Sequence, residues 1–196
     1  MLGLLLPHRC AGCDIQGTPL CIDCAAALPP APERPPPAHL DRCLALLAYR
    51  GPVPDLVLRA KNGGRHGVLH PLGRAMGSLL LGSEGAPAWV TWAPTTAARR
   101  RRRGHDQARL LAGGVARATG ARPVAALRRH GGAQAGRSRQ DRLAGPGFSA
   151  RRRLEGATVV VVDDVWTTGA TLSAAARALR SAGVARVVGL TLAVRP

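Results

Sequence analysis

Aromatic residues are scarce in this chain: three Trp, one Tyr and one Phe among 196 residues, 3% in all. A core must therefore be assembled from Ala, Val and Leu, and few flat surfaces exist on which nucleic-acid bases could stack. Lysine is scarcer still. Lys61 stands alone among 28 basic residues, and only 11 acids oppose them, leaving a formal charge of +17. That imbalance points to a polyanionic partner, whether nucleic acid, phosphorylated ligands or an anionic surface; the abundance of Ala, Gly, Arg and Pro is the competing, purely compositional explanation. Long hydrophobic runs are missing too. Leu2 to Leu6 is shorter than a signal h-region or a ~20-residue transmembrane helix, so neither is expected and a cytoplasmic protein is the default. A length of 196 residues allows one core with a small appendage.

What the chain does have is concentrated between Thr158 and Leu172, TVVVVDDVWTTGATL. Val159 to Val162 suit a strand buried on both faces, and Asp163 and Asp164 stand where that strand should end. Thr167, Thr168, Gly169, Ala170 and Thr171 then lead into Leu172, Ala175, Ala176 and Leu179 at helical spacing, with Gly183 as a C-cap. Ligands of open parallel sheets gather at the carboxyl ends of strands, and a helix N-terminus favours anions. A Thr/Gly loop can bring backbone and hydroxyl donors to a phosphate, while the aspartates can accept from sugar hydroxyls or help hold a divalent cation. The combination points to a phosphorylated sugar. No Gly-Lys-Ser/Thr follows, which excludes a Walker A loop.

Cys10, Cys13, Cys21 and Cys24 form two C-x-x-C pairs. In a reducing compartment such pairs hold zinc, and four thiolates leave no open coordination position, so a structural zinc ribbon over residues 1–28 is expected, with two disulfides as the alternative. His8 is a bystander and Cys43 a buried apolar residue. Pro29 to Pro37 reads as a stiff linker within residues 29–40, leaving 41–196 as the main domain. There, strands are expected over 43–49, 89–92, within 121–128 and over 185–194, and helices over 55–60 and 71–81. A further helix starts at an Asp106 N-cap, runs to Ala118 and ends at Gly120. Arg99 to Arg103, five adjacent like charges, are expected on a flexible exposed loop. Alternating strands and helices argue for an α/β fold with a parallel sheet flanked by helices.

The stretch VVVVDDVWTTGATL resembles the phosphoribosyl-pyrophosphate (PRPP) motif of type I phosphoribosyltransferases. The resemblance implies that Asp163 and Asp164 bind the ribose hydroxyls and Thr167 to Thr171 wrap the 5′-phosphate, with Mg²⁺. Three other regions are similar to the ComF (GntX-like) family in the same order. Tyr49, Gly51, Val53 and Lys61 fit Y-x-G-x-V followed by a lysine, with Asn62 where an aromatic is usual. Arg103, Gly104, Gln107 and Ala108 fit R-G-F-N-Q-A, with His105 and Asp106 in place of Phe and Asn. Gln134, Ser138, Arg142 and Phe148 fit a hood motif in which Gly145 replaces Asn. By this resemblance the protein has a type I phosphoribosyltransferase-like fold behind a tetracysteine zinc ribbon. The resemblance further implies binding of PRPP or a related phosphorylated ribose, with Lys61 and Arg103 as pyrophosphate contacts; turnover by displacement of pyrophosphate is the expectation favoured over binding alone, and a link to DNA uptake in natural competence is implied as well. Single-stranded DNA and competence or recombination proteins are then the expected partners. A non-catalytic DNA-binding accessory role for the zinc ribbon and basic segment is the alternative. His105 stays open between a general base and a packing or surface role.

Overall fold

Val159 to Val162 are all buried, and they lie where β-branched runs are most at home, on the middle strand of a sheet. The computed structural model describes residues 9–62, 64–81, 87–130 and 146–195. Among these, five parallel strands form the main sheet: β1 (Arg42–Ala48), β2 (Trp89–Trp92), β3 (Arg122–Pro123), β6 (Thr158–Trp166) and β7 (Arg186–Val194), in the order β1-β7-β6-β2-β3. A separate antiparallel hairpin pairs β4 (Leu127–His130) with β5 (Gly147–Ala150). The segment expected to hold one strand over 121–128 thus contains β3 and the start of β4.

Ahead of the sheet, Cys21 caps a short helix, α1 (Ile22–Ala26), its sulfur accepting from the Cys24 N–H. Helices cover both faces of the sheet itself, as all-parallel sheets require. On one face α2 (Val53–Asn62), α3 (Leu69–Ser78) and α5 (Gln107–Thr119) set Leu56, Leu72, Met76, Leu111 and Val115 against Val90, Val160, Val162 and Leu190. On the other, α6 (Ala170–Arg180) lays Leu172, Ala175, Ala176 and Leu179 over Val159, Val161 and Val187, with Leu127 of the hairpin and Cys43. Burial pushes the Cys43 thiol up to about 12, which keeps it a neutral apolar residue, as expected. Pro71 falls in the first turn of α3, where a missing N–H costs nothing. The crossing of α3 and α5 depends on two glycines: a Cβ on Gly73 would meet the Leu111 carbonyl oxygen at 2.2 Å, and one on Gly114 the His70 carbonyl oxygen at 2.3 Å.

Two expectations are corrected. Arg99 to Arg103 do not form a loop; they belong to α4 (Ala97–Arg103). Thr96 caps it by accepting from the Arg99 N–H at 3.3 Å, Gly104 ends it in the left-handed region at φ 76°, and arginine is a good helix former when its head stays in water. The central strand also does not stop at the valines. β6 runs on to Trp166, with Asp163 beside Thr191 and Trp166 beside Val194, because the equally long β7 offers it a ladder to the end.

The proline-rich segment is seated on the sheet. Ala31 N–H donates to Leu46 O at 3.2 Å and Ala48 N–H to Pro29 O at 2.9 Å, so the segment covers the outer edge of β1. Arg34 lies 5.0 Å from the centre of the Trp166 ring. No helix among the described residues is long and apolar enough to cross a membrane.

Candidate functional site

Asp163 and Asp164 sit at the carboxyl end of β6, the middle strand of the sheet. Upstream, side chains alternate strictly: Val160 and Val162 join one core, Val159 and Val161 the other. Beyond the aspartates the phase is reversed, Val165 packing with the first core and Trp166 with the second. The change falls on the two carboxylates with the β6–β7 register unbroken, and both line one cavity of about 410 Å³. Each also accepts from the next backbone N–H: Asp163 Oδ1 from Asp164 at 2.8 Å and Asp164 Oδ1 from Val165 at 2.7 Å.

The rest of the wall is basic. Lys61, Arg99, Arg102, Arg103 and Arg129 line the cavity, with Thr95, Asp106, Gln107 and Thr171. Lys61, in the last turn of α2, makes an ion pair with Asp164. Asp106 differs from the other two acids in being tied to the backbone of its own helix. It caps α5, accepting from Arg109 N–H at 3.4 Å, and also receives Thr95 N–H at 3.1 Å. Burial raises its pKa against those donors. Arg103 at the end of α4 donates to Gln107 Oε1 at 3.2 Å, while its buried Nε has no partner among the described residues. Burial lowers the Arg103 pKa, and Arg102 and Arg99 lower it further, with Asp164 opposing. Asp163 is shifted well above the usual carboxylate range by burial first and by the Asp164 charge second; Lys61 and Arg129 only partly offset this.

The loop Thr167–Gly169 joins β6 to α6. Gly169 takes φ 79°, and a Cβ there would strike Pro37 Cγ at 2.6 Å, so both backbone and packing demand glycine. Thr168 Oγ1 accepts from Ala170 N–H at 3.3 Å. Of the loop residues named from the sequence, Thr171 lines the cavity, whereas Thr167 and Thr168 are exposed beside it. His105 lies in an adjoining cavity of about 570 Å³ that shares Lys61, Arg102 and Arg103, its ring 5.0 Å from that of His66. Gln134, Ser138, Arg142 and Gly145 lie outside the described residues. Arg129 carries no mark in the sequence: it sits in a basic stretch like many others, and only the β4–β5 hairpin carries it to the cavity.

The four paired cysteines also converge. The sulfurs of Cys10, Cys13, Cys21 and Cys24 lie within 4.8 Å of one another, with Cys10–Cys21 and Cys13–Cys21 each at 3.7 Å. That spacing is far beyond a disulfide and close to the ~3.8 Å edge of a tetrahedron whose metal–sulfur bonds are ~2.3 Å. Backbone N–H groups of Gly12 and Cys21 point to Cys10 Sγ, and that of Cys24 to Cys21 Sγ, at 3.3–3.5 Å. Burial opposes ionisation of Cys10, but these donors and the neighbouring sulfur bring its pKa down to about 6. Cys24, hydrogen-bonded to Cys21 and Cys13, is pushed up to about 12. The four thiols are thus placed to bind a metal ion.

In open parallel sheets with helices on both faces, ligands bind in the crevice at the carboxyl ends of the strands, which is where this cavity lies. Residues 105–196 match the family model of the phosphoribosyl transferase domain, slightly under half of the chain, and the fold is of that type. Two solved structures are similar. One is the allosteric regulatory enzyme of purine biosynthesis, 26% identical over 65% of this chain and 26% of that one, with a TM-score of 0.46. The other is glutamine PRPP amidotransferase from B. subtilis complexed with ADP and GMP, 27% identical over 63% of this chain and 26% of that one, with a TM-score of 0.44. The chain spans about a quarter of the length of either. No curated protein matches it.

Proposed function

We propose that the cavity at Asp163 and Asp164 binds PRPP or a related phosphorylated ribose, and that the chain is a ComF-like phosphoribosyltransferase linked to DNA uptake. The observation that carries this reading is two adjacent carboxylates lining one cavity with five cationic side chains, Lys61, Arg99, Arg102, Arg103 and Arg129. A pure anion would be repelled by the acids and a pure cation by the bases. A ligand bearing vicinal hydroxyls and phosphates satisfies both. The orphaned Arg103 Nε is a second mark of an anion site, since buried donors are ordinarily paired. The carboxylate oxygens also suit Mg²⁺, which would neutralise pyrophosphate charge when bound there.

In this mechanism Asp163 and Asp164 hold the ribose, Thr171 and the Thr167–Gly169 loop receive the 5′-phosphate, and Ala170 begins the helix behind it. A nucleophile attacks the anomeric carbon as the bond to pyrophosphate oxygen breaks, and pyrophosphate departs with the electron pair. Lys61 and Arg103 stabilise that charge as it develops, provided Lys61 exchanges Asp164 for the ligand. We assign Zn²⁺ to the four cysteines, in a structural role. Calorimetry tests the central reading: PRPP with Mg²⁺ should bind the wild type, and Asp163→Asn with Asp164→Asn should weaken it at least about tenfold, the loss expected for charge-assisted bonds. No heat at millimolar PRPP would overturn it. A second reading, a non-catalytic accessory that tracks single-stranded DNA, is favoured by the exposure of Arg99 to Arg102 along α4.

A further inference from the structure

The geometry points to a second anion site, built for an oligophosphate such as the phosphate chain of a nucleoside triphosphate, in the notch between the strand-end residues after β5 and helix α6. It is about 550 Å³, a size usual for small-ligand pockets, and shares no lining residue with the cavity at Asp163 and Asp164. Four arginines line it, Arg151, Arg152, Arg153 and Arg177. Arg153 is paired with Glu155 at 2.9 Å, but among the described residues no carboxylate pairs with Arg151, Arg152 or Arg177.

Like charges left without counter-ions normally spread apart. Here the backbone holds them together: Arg151 N–H donates to Ala126 O at 2.7 Å and Arg151 Nε to Leu127 O at 3.1 Å, while Arg177 is placed by the last turns of α6, whose buried neighbours Ala176 and Ala178 fix its direction outward. A concave, uncompensated cluster of guanidinia is an environment that several linked phosphate oxygens satisfy, each fork matching one group. Phe148, the only phenylalanine of the chain, is half-buried in the same notch. It supplies an apolar wall on which a base can rest, so a nucleotide fits better than a bare polyphosphate. The notch is open to solvent but local, formed by residues 148–153 and one face of α6, and a patch of that extent matches a small ligand better than a long nucleic-acid strand.

Titration of the full chain with ATP, tripolyphosphate and oligothymidylates decides the matter. With PRPP and Mg²⁺ saturating the Asp163–Asp164 cavity, Arg152→Ala with Arg177→Ala should lower ATP affinity at least about tenfold, as expected when one or two charge-assisted bonds are removed, and should leave PRPP affinity unchanged. Phe148→Ala should weaken ATP and spare tripolyphosphate. Both arginines are exposed, so the variant should melt with the wild type; Arg152→Gln with Arg177→Gln, which keeps most of each stem, must show the same loss. ATP binding that survives both arginine variants, or that PRPP with Mg²⁺ abolishes, overturns the site. An affinity for oligothymidylate that depends on these arginines, rises with length and exceeds that for ATP overturns the ligand class.

Discussion

Asp163 is the residue at which stability and the proposed chemistry pull apart. Burial and the adjacent Asp164 raise its pKa, so the folded chain binds its proton more tightly than the unfolded chain does. Linkage then runs against the fold as pH rises. The penalty is absent below the unfolded value of about 3.9, grows as pH climbs through the folded value, and is fully present above it. Asp163→Asn keeps an oxygen for the Asp164 N–H and removes the buried charge. It should therefore raise the melting temperature of the ligand-free protein at about pH 7.5, on the order of 2–4 °C, what about 1 kcal/mol gives in a chain of this length. The gain should fade toward pH 4. A variant that melts lower than wild type at neutral pH would show that the carboxylate is held by its cationic neighbours after all. Single residues were unevenly legible. Asp106 as a cap followed from local hydrogen-bonding capacity, whereas nothing near Arg129 distinguished it from the other arginines that stay in solvent.

Among the elements, α5 was readable almost to the residue, because its cap, apolar spacing and terminal glycine are local signals. α4 was misread because repulsion between adjacent charges was weighed without the cap. Thr96 and Gly104 close a two-turn helix on which the side chains fan into water. The helix matters for the second functional reading, since it presents Arg99, Arg100, Arg101 and Arg102 on one short rigid rod. If that rod tracks single-stranded DNA, changing those four residues to Gln should flatten the salt dependence of binding, lowering the slope by up to about 0.7 for each phosphate no longer neutralised. An unchanged slope would assign the run to solvation. β6 was also misjudged in length, since a strand's end is set by its neighbour, and β7 extends alongside it to Val194.

In the whole molecule, the cysteine module is fastened to the body. Asp14 pairs with Arg59 at 3.0 Å and Arg65 at 2.6 Å, Arg59 also reaches Gly12 O at 3.1 Å, and Ala11, Leu20 and Leu28 pack against the main core. Stripping the metal should therefore do more than unfold a knuckle. One zinc per chain is expected, with intense thiolate-to-metal absorption after cobalt exchange. Cys13→Ser, at the exposed ligand, should lower both metal affinity and the melting temperature of the entire chain. A chain that melts unchanged without metal would show the module to be energetically separate.

The sequence by itself determined the parallel α/β class, the tetracysteine cluster, the α5 boundaries and the strand–loop–helix around Asp163, because each rests on local propensity, spacing or capping that a few neighbouring residues decide. Only the tertiary structure decided that both aspartates enter one cavity, that Lys61, Arg103 and Arg129 come to them from three different elements, and that the proline-rich segment closes the sheet edge. Those are long-range contacts between chain segments far apart in sequence. Motif resemblance had singled out Lys61 and Arg103, but packing chose Arg129 and the edge-covering prolines from many equivalent residues, and no local pattern marks those.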